Sequence, residues 1–234
     1  MRGWLYVGCL IGLAWALLCG RAAFGNPAFQ KKETIIFLGD SITWFGAGPE
    51  GYITFMSQAI ETTHAGAGIE LIGAGVRGNK VPDCLRRLEA DVLQKSPTIV
   101  VIYIGINDVW HWDSSHGTTK EAFDAGLRDM IAKIQAAGAR VILCTPTVIG
   151  EKSDGTNRHD KMLDEYSDLS RTVAQETGAQ LLDLRNAFLA YLKDHNPSNA
   201  EQGILTRDAV HLNRNGNLFL STLMLDALNV LPRP

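Results

Sequence analysis

From residue 34 onward, short apolar segments alternate with longer amphipathic ones, and this alternation limits the possible folds more than any other feature. Several apolar segments are nearly continuous, such as Ile99-Val100-Val101-Ile102-Tyr103-Ile104. Strands that are covered on both faces, as in parallel sheets, have this composition. The predicted strands are 34–38, 69–72, 98–104, 140–145 and 180–183, and the predicted helices are 52–63, 83–94, 119–137, 161–177, 185–195 and 217–228.

This order of elements predicts an α/β fold, a three-layer α/β/α sandwich around a five-stranded parallel sheet with right-handed crossovers. Gly138 and Gly178 follow two of the predicted helices, where a C′ glycine would end each helix. The chain has 234 residues, 46% of them hydrophobic, which is enough for a sizeable core. No break in composition divides it, so we expect one domain over residues 30–234. Ligands should bind at the carboxyl ends of the strands.

The first 25 residues are expected to lie outside this domain. Arg2 supplies a positive charge, residues 4–18 are apolar, and Ala23-Phe24-Gly25 offers small residues at a cleavage site before Asn26. The apolar run is shorter than the roughly 20 residues that a membrane-spanning helix needs. We therefore predict that residues 1–25 are a signal peptide of an exported protein, periplasmic or extracellular, without stable membrane insertion. An uncleaved membrane anchor is the alternative.

The overall charge and the cysteines say less about the function than the order of the elements says about the fold. A formal net charge of -3 gives no reason to expect a nucleic-acid partner. Loss of the leader would leave Cys84 and Cys144, and export would permit a disulfide between them. However, Cys144 ends the apolar run 141–143 and is typical of a small buried hydrophobe, so the pairing stays open. The charged side chains of residues 160–171 are expected to form a solvent-exposed helix face.

A serine follows the first predicted strand directly, in Gly39-Asp40-Ser41. A serine hydroxyl at such a sheet edge can become a nucleophile if a base activates it, although Gly-Asp-Ser is also ordinary turn chemistry. Asp208 and His211 lie near the C-terminus, just before the last predicted helix. At this spacing the carboxylate can orient the imidazole so that its free nitrogen faces the serine. Ser41, His211 and Asp208 are therefore the predicted catalytic triad, although Asp208 could instead cap a turn.

Two further blocks at the same predicted edge suit an oxyanion hole. The second strand is followed by a glycine-rich segment in which the backbone N–H near Gly78 could approach a substrate closely. The third strand ends in Gly105-Ile106-Asn107-Asp108, which places the Asn107 amide there as well. Together with the Ser41 backbone N–H, these donors could surround a developing alkoxide. Either block alone is also explained as ordinary loop structure.

Taken in order, these four blocks resemble those of the SGNH (GDSL) hydrolase superfamily over the chain from residue 34 onward. The resemblance implies a flavodoxin-like fold without a cofactor or metal. It also implies that Ser41 is the nucleophile, His211 the general base and Asp208 its orienting partner, with Ser41, Gly78 and Asn107 as oxyanion donors. Two departures stand out: Trp44-Phe45 replaces the smaller residues of many members, and Asp208-Ala209 replaces the frequent Asp-Gly.

The function implied by this resemblance is hydrolysis of acyl esters. Export and the tryptophan-bearing segments favour a short acyl group, such as acetate, on a small molecule or a carbohydrate. Asp40, Trp44 and Trp110 are candidate substrate contacts, and Trp112 lies at the same predicted edge. A lysophospholipase or thioesterase of the same superfamily is the alternative within this class. A non-catalytic carbohydrate-binding module on the same fold is the alternative outside it. The oligomeric state cannot be read from the sequence.

Two other motifs allow rival interpretations. Residues 73–78 satisfy G-x-G-x-x-G, but the next predicted helix starts only near Asp83, whereas a dinucleotide site needs its glycines to open a helix directly. Asp108, His111, Asp113 and His116 combine oxygen and nitrogen ligands that could bind a metal. The more ordinary explanation is a long loop after the third strand, and we predict no metal.

Overall fold

The computed structural model describes residues 32–230. The predicted signal peptide lies outside the described residues. The strands are β1 Glu33–Gly39, β2 Ile69–Gly75, β3 Ile99–Tyr103, β4 Arg140–Cys144 and β5 Gln180–Leu182. The helices are α1 Ser41–Gly46, α2 Tyr52–Thr63, α3 Val81–Asp91, α4 Ile106–Trp110, α5 Lys120–Ala136, α6 Asp160–Thr177, α7 Leu184–His195 and α8 Arg214–Ala227, with short 3₁₀ helices at Leu93–Lys95 and His111–Ser114.

The five strands form one parallel sheet in the order β2-β1-β3-β4-β5. All five residues of β3, at the centre, are buried, which explains the uninterrupted apolar composition of this strand. Helices α2, α7 and α8 pack together on one face, and α3, α5 and α6 on the other. The predicted three-layer α/β/α sandwich and its flavodoxin-like strand order are therefore confirmed.

The order of the strands indicates where a ligand should bind. The strand order reverses between β1 and β3, because β1 leads to its neighbour β2 on one side and the chain then returns to β3 on the other. In open α/β sheets the crevice at such a reversal is the usual ligand site. Ser41 follows β1 and Asn107 follows β3, so both residues lie at this point. Gly138 and Gly178 have positive φ values of 84° and 70° after α5 and α6, which confirms them as helix-ending glycines.

Several boundaries differ from the sequence predictions. The serine turn after β1 is the start of α1, and the predicted long loop after β3 contains α4 and a 3₁₀ helix. Gly73 and Gly75 lie inside β2, so they do not open a helix as a dinucleotide-binding motif requires. A side chain at Gly75 would collide with the backbone of α1, its Cβ only 2.2 Å from the Trp44 nitrogen. These glycines therefore let α1 pack closely on the sheet.

The charged face of α6 is not simply solvated, contrary to the sequence prediction. Arg185 is 1% exposed, and its guanidinium pairs with Asp160 at 2.9 Å and with Asp164 at 2.8 Å. It also donates to the carbonyl of Thr147 at 3.0 Å. A fully buried guanidinium needs such partners, because an unpaired buried charge is strongly destabilising. Within residues 32–230 the two cysteines, Cys84 and Cys144, are buried free thiols.

Candidate active site

Ser41 is the first residue of α1, directly after β1. Asp40 caps this helix, since its carboxylate accepts a hydrogen bond from the Ile42 backbone N–H at 2.8 Å. The cap sets the direction in which the chain leaves the strand and leaves Ser41 8% exposed at the sheet edge. Because Ser41 opens the helix, its backbone N–H has no partner within the helix.

The structure brings Ser41, His211 and Asp208 into one hydrogen-bonded chain. Ser41 Oγ lies 2.9 Å from His211 Nε2, and His211 Nδ1 lies 2.8 Å from Asp208 Oδ2. The backbone N–H of His211 also donates to Asp208 Oδ1 at 2.7 Å. Partial burial raises the pKa of Asp208, but the hydrogen bonds from the backbone and ring of His211 and from Val210 outweigh it and hold the pKa below its usual value. Asp208 is therefore suited to remain a carboxylate beside the imidazole.

Asp208 and His211 belong to a small hairpin, residues 205–213. Thr206 and Leu212 form an antiparallel bridge, and the Arg207 N–H donates to the His211 carbonyl at 2.8 Å. At the tip, Ala209 has a φ of 68°, in the left-handed region where glycine is favoured. This is the position where the Asp-Ala sequence departs from the frequent Asp-Gly. The hairpin geometry thus explains how two residues three positions apart come to face each other.

A buried glutamate that the sequence analysis missed holds this hairpin to the rest of the fold. Glu151, in the segment after β4, has no exposed surface. Its carboxylate accepts hydrogen bonds from three successive backbone N–H groups. Those of Ile204 and Leu205 donate at 2.7 Å each, and that of Thr206 donates as well. The neighbouring Gly150 N–H donates to the Ala209 carbonyl at 2.8 Å. The hairpin is therefore anchored at both its base and its tip by residues 150–151.

The two predicted oxyanion blocks are joined to each other. Asn107 is 3% exposed, and its side-chain amide donates to the carbonyl of Asn79 at 3.0 Å. Gly78, just before Asn79, has a φ of 75°, which a residue with a side chain would adopt only at a cost. Because an asparagine amide has two N–H donors, one bond to Asn79 leaves a second donor. The structure thus brings Asn107 and the Gly78 segment together.

Asp108 strengthens this junction and is not arranged as a metal ligand. Its carboxylate accepts from the Val81 N–H at 3.1 and 3.3 Å, so α4 is tied to the start of α3. Burial raises the pKa of Asp108 to about 6, although the hydrogen bond from Val81 opposes the shift. Asp113 pairs with Arg158 at 2.9 Å and with His159 at 3.2 Å. Within residues 32–230 no group of three or more His, Cys, Asp or Glu side chains could hold a metal ion.

Asp40 is a buried carboxyl group directly before Ser41. Its side chain is 2% exposed and faces the first turn of α1. Burial raises the pKa of Asp40 to about 7, although the Ile42 hydrogen bond opposes the shift. A contact between Asp40 and substrate stays a prediction. Its role in the structure is to cap the helix that carries Ser41.

The tryptophans separate into different environments. Trp44, on α1, is 49% exposed and packs edge to face on Phe45 at a centroid distance of 4.8 Å. Trp110, on α4, is 38% exposed and lines a cavity of about 380 Å³ together with Asp208. Trp112 turns away, since its indole N–H donates to the Tyr166 hydroxyl at 3.3 Å. Trp44 is thus linked through Phe45 to the His211 ring, Trp110 shares a cavity with Asp208, and Trp112 contacts α6.

Three comparisons with known proteins agree with this architecture. The family model of the GDSL-like lipase/acylhydrolase family matches residues 37–218. The chain is similar to a crystal structure of the acetyl xylan esterase AlAXEase, with a TM-score of 0.82 and 45% identity, covering 83% of this chain and 98% of that one. It is 26% identical to the isoamyl acetate-hydrolyzing esterase 1 homolog of Mus musculus over 87% of this chain and 83% of that protein.

The acetylxylan esterase of Geobacillus stearothermophilus is similar in both sequence and structure. It is 30% identical over 82% of this chain and 92% of its own length, and its crystal structure matches with a TM-score of 0.75. Its structures include catalytic mutants in which a serine, an aspartate or a histidine is replaced by alanine, the latter two three positions apart. The fold and these relatives define the present protein as a hydrolase of ester bonds. The chain belongs to the GDSL-like lipase/acylhydrolase family.

Proposed function

We propose that Ser41, His211 and Asp208 form a catalytic triad that hydrolyses short acyl esters, with acetyl groups on carbohydrates as the preferred substrates. The observation that carries this proposal is the hydrogen-bonded chain from Ser41 Oγ through the imidazole to Asp208, with distances of 2.9 and 2.8 Å. The catalytic mutants of the Geobacillus esterase support it, because they concern the same three residue types with the same Asp-x-x-His spacing.

The geometry suits a two-step reaction. Ser41 Oγ attacks the ester carbonyl carbon while His211 Nε2 takes the hydroxyl proton, and Asp208 stabilises the imidazolium. The tetrahedral intermediate expels the alcohol, which receives the proton from His211, and an acyl-enzyme remains. A water molecule then attacks the acyl carbon with His211 again as base. This step releases the carboxylic acid and restores Ser41.

The oxyanion would be held by the backbone N–H groups of Ser41 and Gly78 and by the second N–H of the Asn107 amide. Support comes from the hydrogen bond between Asn107 and Asn79, which keeps the amide beside the Gly78 segment. The Asp108–Val81 contact fixes the same two segments a second time. A donor that is held in place before reaction is worth roughly 3–4 kcal/mol of barrier. We therefore propose that this rigid junction serves catalysis by holding the oxyanion donors in position before the reaction.

The proposed specificity for acetylated carbohydrates rests on the activities for which the relatives are named and on the aromatic side chains near the site. Two acetylxylan esterases align over most of the chain. Trp110 and the partly polar cavity that it shares with Asp208 suit a sugar ring, since tryptophan packs on the apolar face of a ring and polar groups bind its hydroxyls. Trp44 lies on α1 three residues after Ser41 and packs on Phe45, which contacts His211. Acetylated xylooligosaccharides are accordingly the first substrates to test.

The role of Ser41 is tested by Ser41→Ala. This variant should lose at least about 10⁴-fold in kcat for p-nitrophenyl acetate and for acetylated xylooligosaccharides, and a fluorophosphonate probe should no longer label the protein. Ser57→Ala is the matched control, because Ser57 is an exposed serine on α2. Wild-type turnover by Ser41→Ala would refute the triad. Lack of labelling of the wild type would favour the non-catalytic carbohydrate-binding module.

The acyl group is tested with p-nitrophenyl esters of rising chain length. An acetyl esterase should lose activity steadily beyond the two- to four-carbon esters, whereas a lysophospholipase or thioesterase would prefer long chains. Comparison with acetylated and deacetylated xylooligosaccharides then shows whether the carbohydrate raises kcat/KM. A preference for long acyl chains would overturn the acetyl assignment without touching the triad.

We also propose export by the N-terminal segment 1–25, on the basis of Arg2, the apolar residues that follow it and the small residues at Ala23 and Gly25. No helix among residues 32–230 is long and apolar enough to cross a membrane. N-terminal sequencing of the protein recovered from outside the cytoplasm should give Asn26 as the first residue. Recovery of the intact chain in the membrane fraction would favour the anchor instead.

A further inference from the structure

Two arginines flank the aromatic side chain that packs against His211. The Phe45 ring meets the imidazole edge to face at a centroid distance of 5.4 Å. The guanidinium carbon of Arg207 lies 4.2 Å from the Phe45 centroid, and that of Arg77 lies 5.4 Å from it. Arg77 is also 5.3 Å from the Trp44 ring. We call this surface the arginine rim, formed by Arg77 and Arg207 over Trp44 and Phe45.

Arg77 and Arg207 differ from most other arginines in how their charge is compensated. Seven other arginines within residues 32–230 pair with a carboxylate at 2.9 Å or closer or, for Arg214, at 3.1 Å. Arg77 has no carboxylate within ion-pair distance among the described residues. The nearest carboxylate to Arg207 is Asp208, at 3.8 Å, and Asp208 already binds His211. The remaining arginine of the described residues, Arg140, bonds only the neutral Gln180 side chain, at 3.3 Å, and lies at the start of β4, away from the proposed triad. Of these three arginines without a close carboxylate, Arg77 and Arg207 are the two that lie beside the proposed triad.

The stacked arrangement leaves these guanidinium groups ready to bind an anion. A guanidinium that packs over an aromatic ring keeps its N–H donors in its own plane, where they can point outward and grip a carboxylate. Both arginines are exposed, so a ligand can reach them. Holding them over Trp44 and Phe45 also reduces the conformational freedom that they would lose on binding. The chain as a whole has a formal net charge of -3, so general charge does not explain this local cationic surface.

We propose that the arginine rim binds a carboxylate carried by the substrate, so that the preferred substrate is an acetyl ester on an acidic, uronic-acid-bearing glycan. This inference rests on the proposed function, because it names a subclass of the carbohydrate esters that Ser41 would attack. Two sources could supply the carboxylate, the sugar or the acyl group, as in a hemisuccinate ester. The rim lies on the Phe45 side of His211, and the Trp110 cavity lies on the Asp208 side, so a glycan could span both.

The test compares matched substrates in the full-length mature enzyme. One pair consists of acetylated xylooligosaccharides with and without a uronic-acid branch, and the other of p-nitrophenyl acetate and p-nitrophenyl hemisuccinate. For the wild type, kcat/KM should be about three- to tenfold higher on the acidic glycan than on the neutral one, the range of one or two partly exposed charge contacts. Raising the salt from 0.05 to 0.5 M should shrink this ratio, because such contacts are screened.

Substitutions then test whether the arginine rim causes the higher kcat/KM on the acidic glycan. Arg77→Gln and Arg207→Gln should each lower the ratio of acidic to neutral kcat/KM, and the double variant should bring it near one. Arg207→Lys keeps the charge next to Asp208 but loses the planar guanidinium, so this variant should give a ratio between those of the wild type and Arg207→Gln. Arg140→Gln is the control, because Arg140 is exposed at the start of β4, at the opposite edge of the sheet, and should leave the ratio unchanged.

The outcomes separate this inference from the proposed function. Equal kcat/KM for acidic and neutral substrates, with normal fluorophosphonate labelling of Ser41, would overturn the carboxylate site and leave the esterase intact. A wild-type ratio that survives in the double variant would also overturn it, as would variants that lose activity equally on both glycans, since the arginines would then only cover Phe45. Preference for the hemisuccinate alone would move the carboxylate to the acyl group and refute the acidic-glycan substrate. Absence of labelling and of turnover would instead refute the triad.

Discussion

The anchoring by Glu151 of the hairpin that carries Asp208 and His211 gives the sharpest prediction for mutagenesis. In Glu151→Gln, one carboxylate oxygen becomes an amide nitrogen, which can donate but not accept. If the remaining oxygen keeps the Oε1 position, Leu205 and Thr206 retain an acceptor, and the Ile204 N–H, now facing another donor, loses its own. If the amide takes the opposite orientation, the N–H groups of Leu205 and Thr206 lose their acceptor instead. The first arrangement is therefore the cheaper one.

The magnitude follows from these contacts. One buried N–H without a partner costs about 1–3 kcal/mol, and two hydrogen bonds change from charge-assisted to neutral, each about 1 kcal/mol weaker. Removal of a buried charge offsets part of this loss. We expect Glu151→Gln to lower the free energy of unfolding by about 2–4 kcal/mol, and Glu151→Ala by more, because it deprives all three N–H groups of their acceptor. Such a loss is a large part of the 5–15 kcal/mol typical of a domain.

Urea denaturation measures the stability, and amide hydrogen exchange locates the change. Ile204 should lose more protection than Leu205 in the Gln variant. Below its unfolding transition, the variant should show a lower kcat for p-nitrophenyl acetate with a smaller change in KM, since the hairpin carries Asp208 and His211. Glu89→Gln, at an exposed position on α3, is the control. A Gln variant within about 0.5 kcal/mol of the wild type and with normal kcat would refute the anchoring role.

Two further substitutions test local features of the site. Ala209→Gly should raise the free energy of unfolding, measured in urea, by about 0.5–1 kcal/mol. A residue with a side chain is strained at a φ of 68°, and relief of this strain exceeds the freedom that glycine adds to the unfolded chain. A destabilised variant would contradict this. Asp40→Asn keeps an acceptor for Ile42 and removes the ionisable group. Since burial raises the pKa of Asp40 to about 7 from 3.8, the folded state holds a proton that the unfolded state has lost between these values, and wild-type stability should fall as pH rises through this window. Relative to the variant, the wild type should lose about 2–3 kcal/mol between pH 5 and pH 8, and parallel stability profiles would refute the buried-carboxyl argument.

The sheet and the long helices could be predicted because periodicity spreads over many residues. Helix α2 was predicted at 52–63, the bounds that the structure shows, and the other long helices were misplaced by only a few residues at their ends. Helices α1 and α4, of six and five residues, are too short to show a helical period. Their sequences also contain glycine and aspartate, which favour turns, so both were predicted as loops. The interpretation failed where the local signal itself was ambiguous.

The contacts around the site divide in the same way. Ser41, Asn107 and His211 could be placed at one edge because each follows a strand or precedes a helix in a position that topology determines. Glu151 could not, because its partners are backbone N–H groups 53 to 55 residues further along the chain, and backbone groups carry no sequence signature. Arg185 was missed for a related reason. An arginine in an amphipathic helix is ordinarily exposed, and only the approach of Asp160 and Asp164 from α6 makes its burial tolerable.

The residues of the site are therefore held in place by different parts of the fold, some by the sheet and some by a hairpin outside it. Ser41 and Asn107 lie on short helices at the ends of β1 and β3, so a rigid parallel sheet determines their separation. His211 and Asp208 come from a hairpin outside the sheet. Its backbone is bonded to the Glu151 carboxylate and to Gly150, and its buried side chains Leu205, Val210 and Leu212 pack in the core. A disturbance of the core should accordingly unfold the protein as a whole, whereas a disturbance at Glu151 should first separate His211 from Ser41. Loss of activity before loss of the sheet, as denaturant or temperature rises, is the behaviour that this arrangement implies.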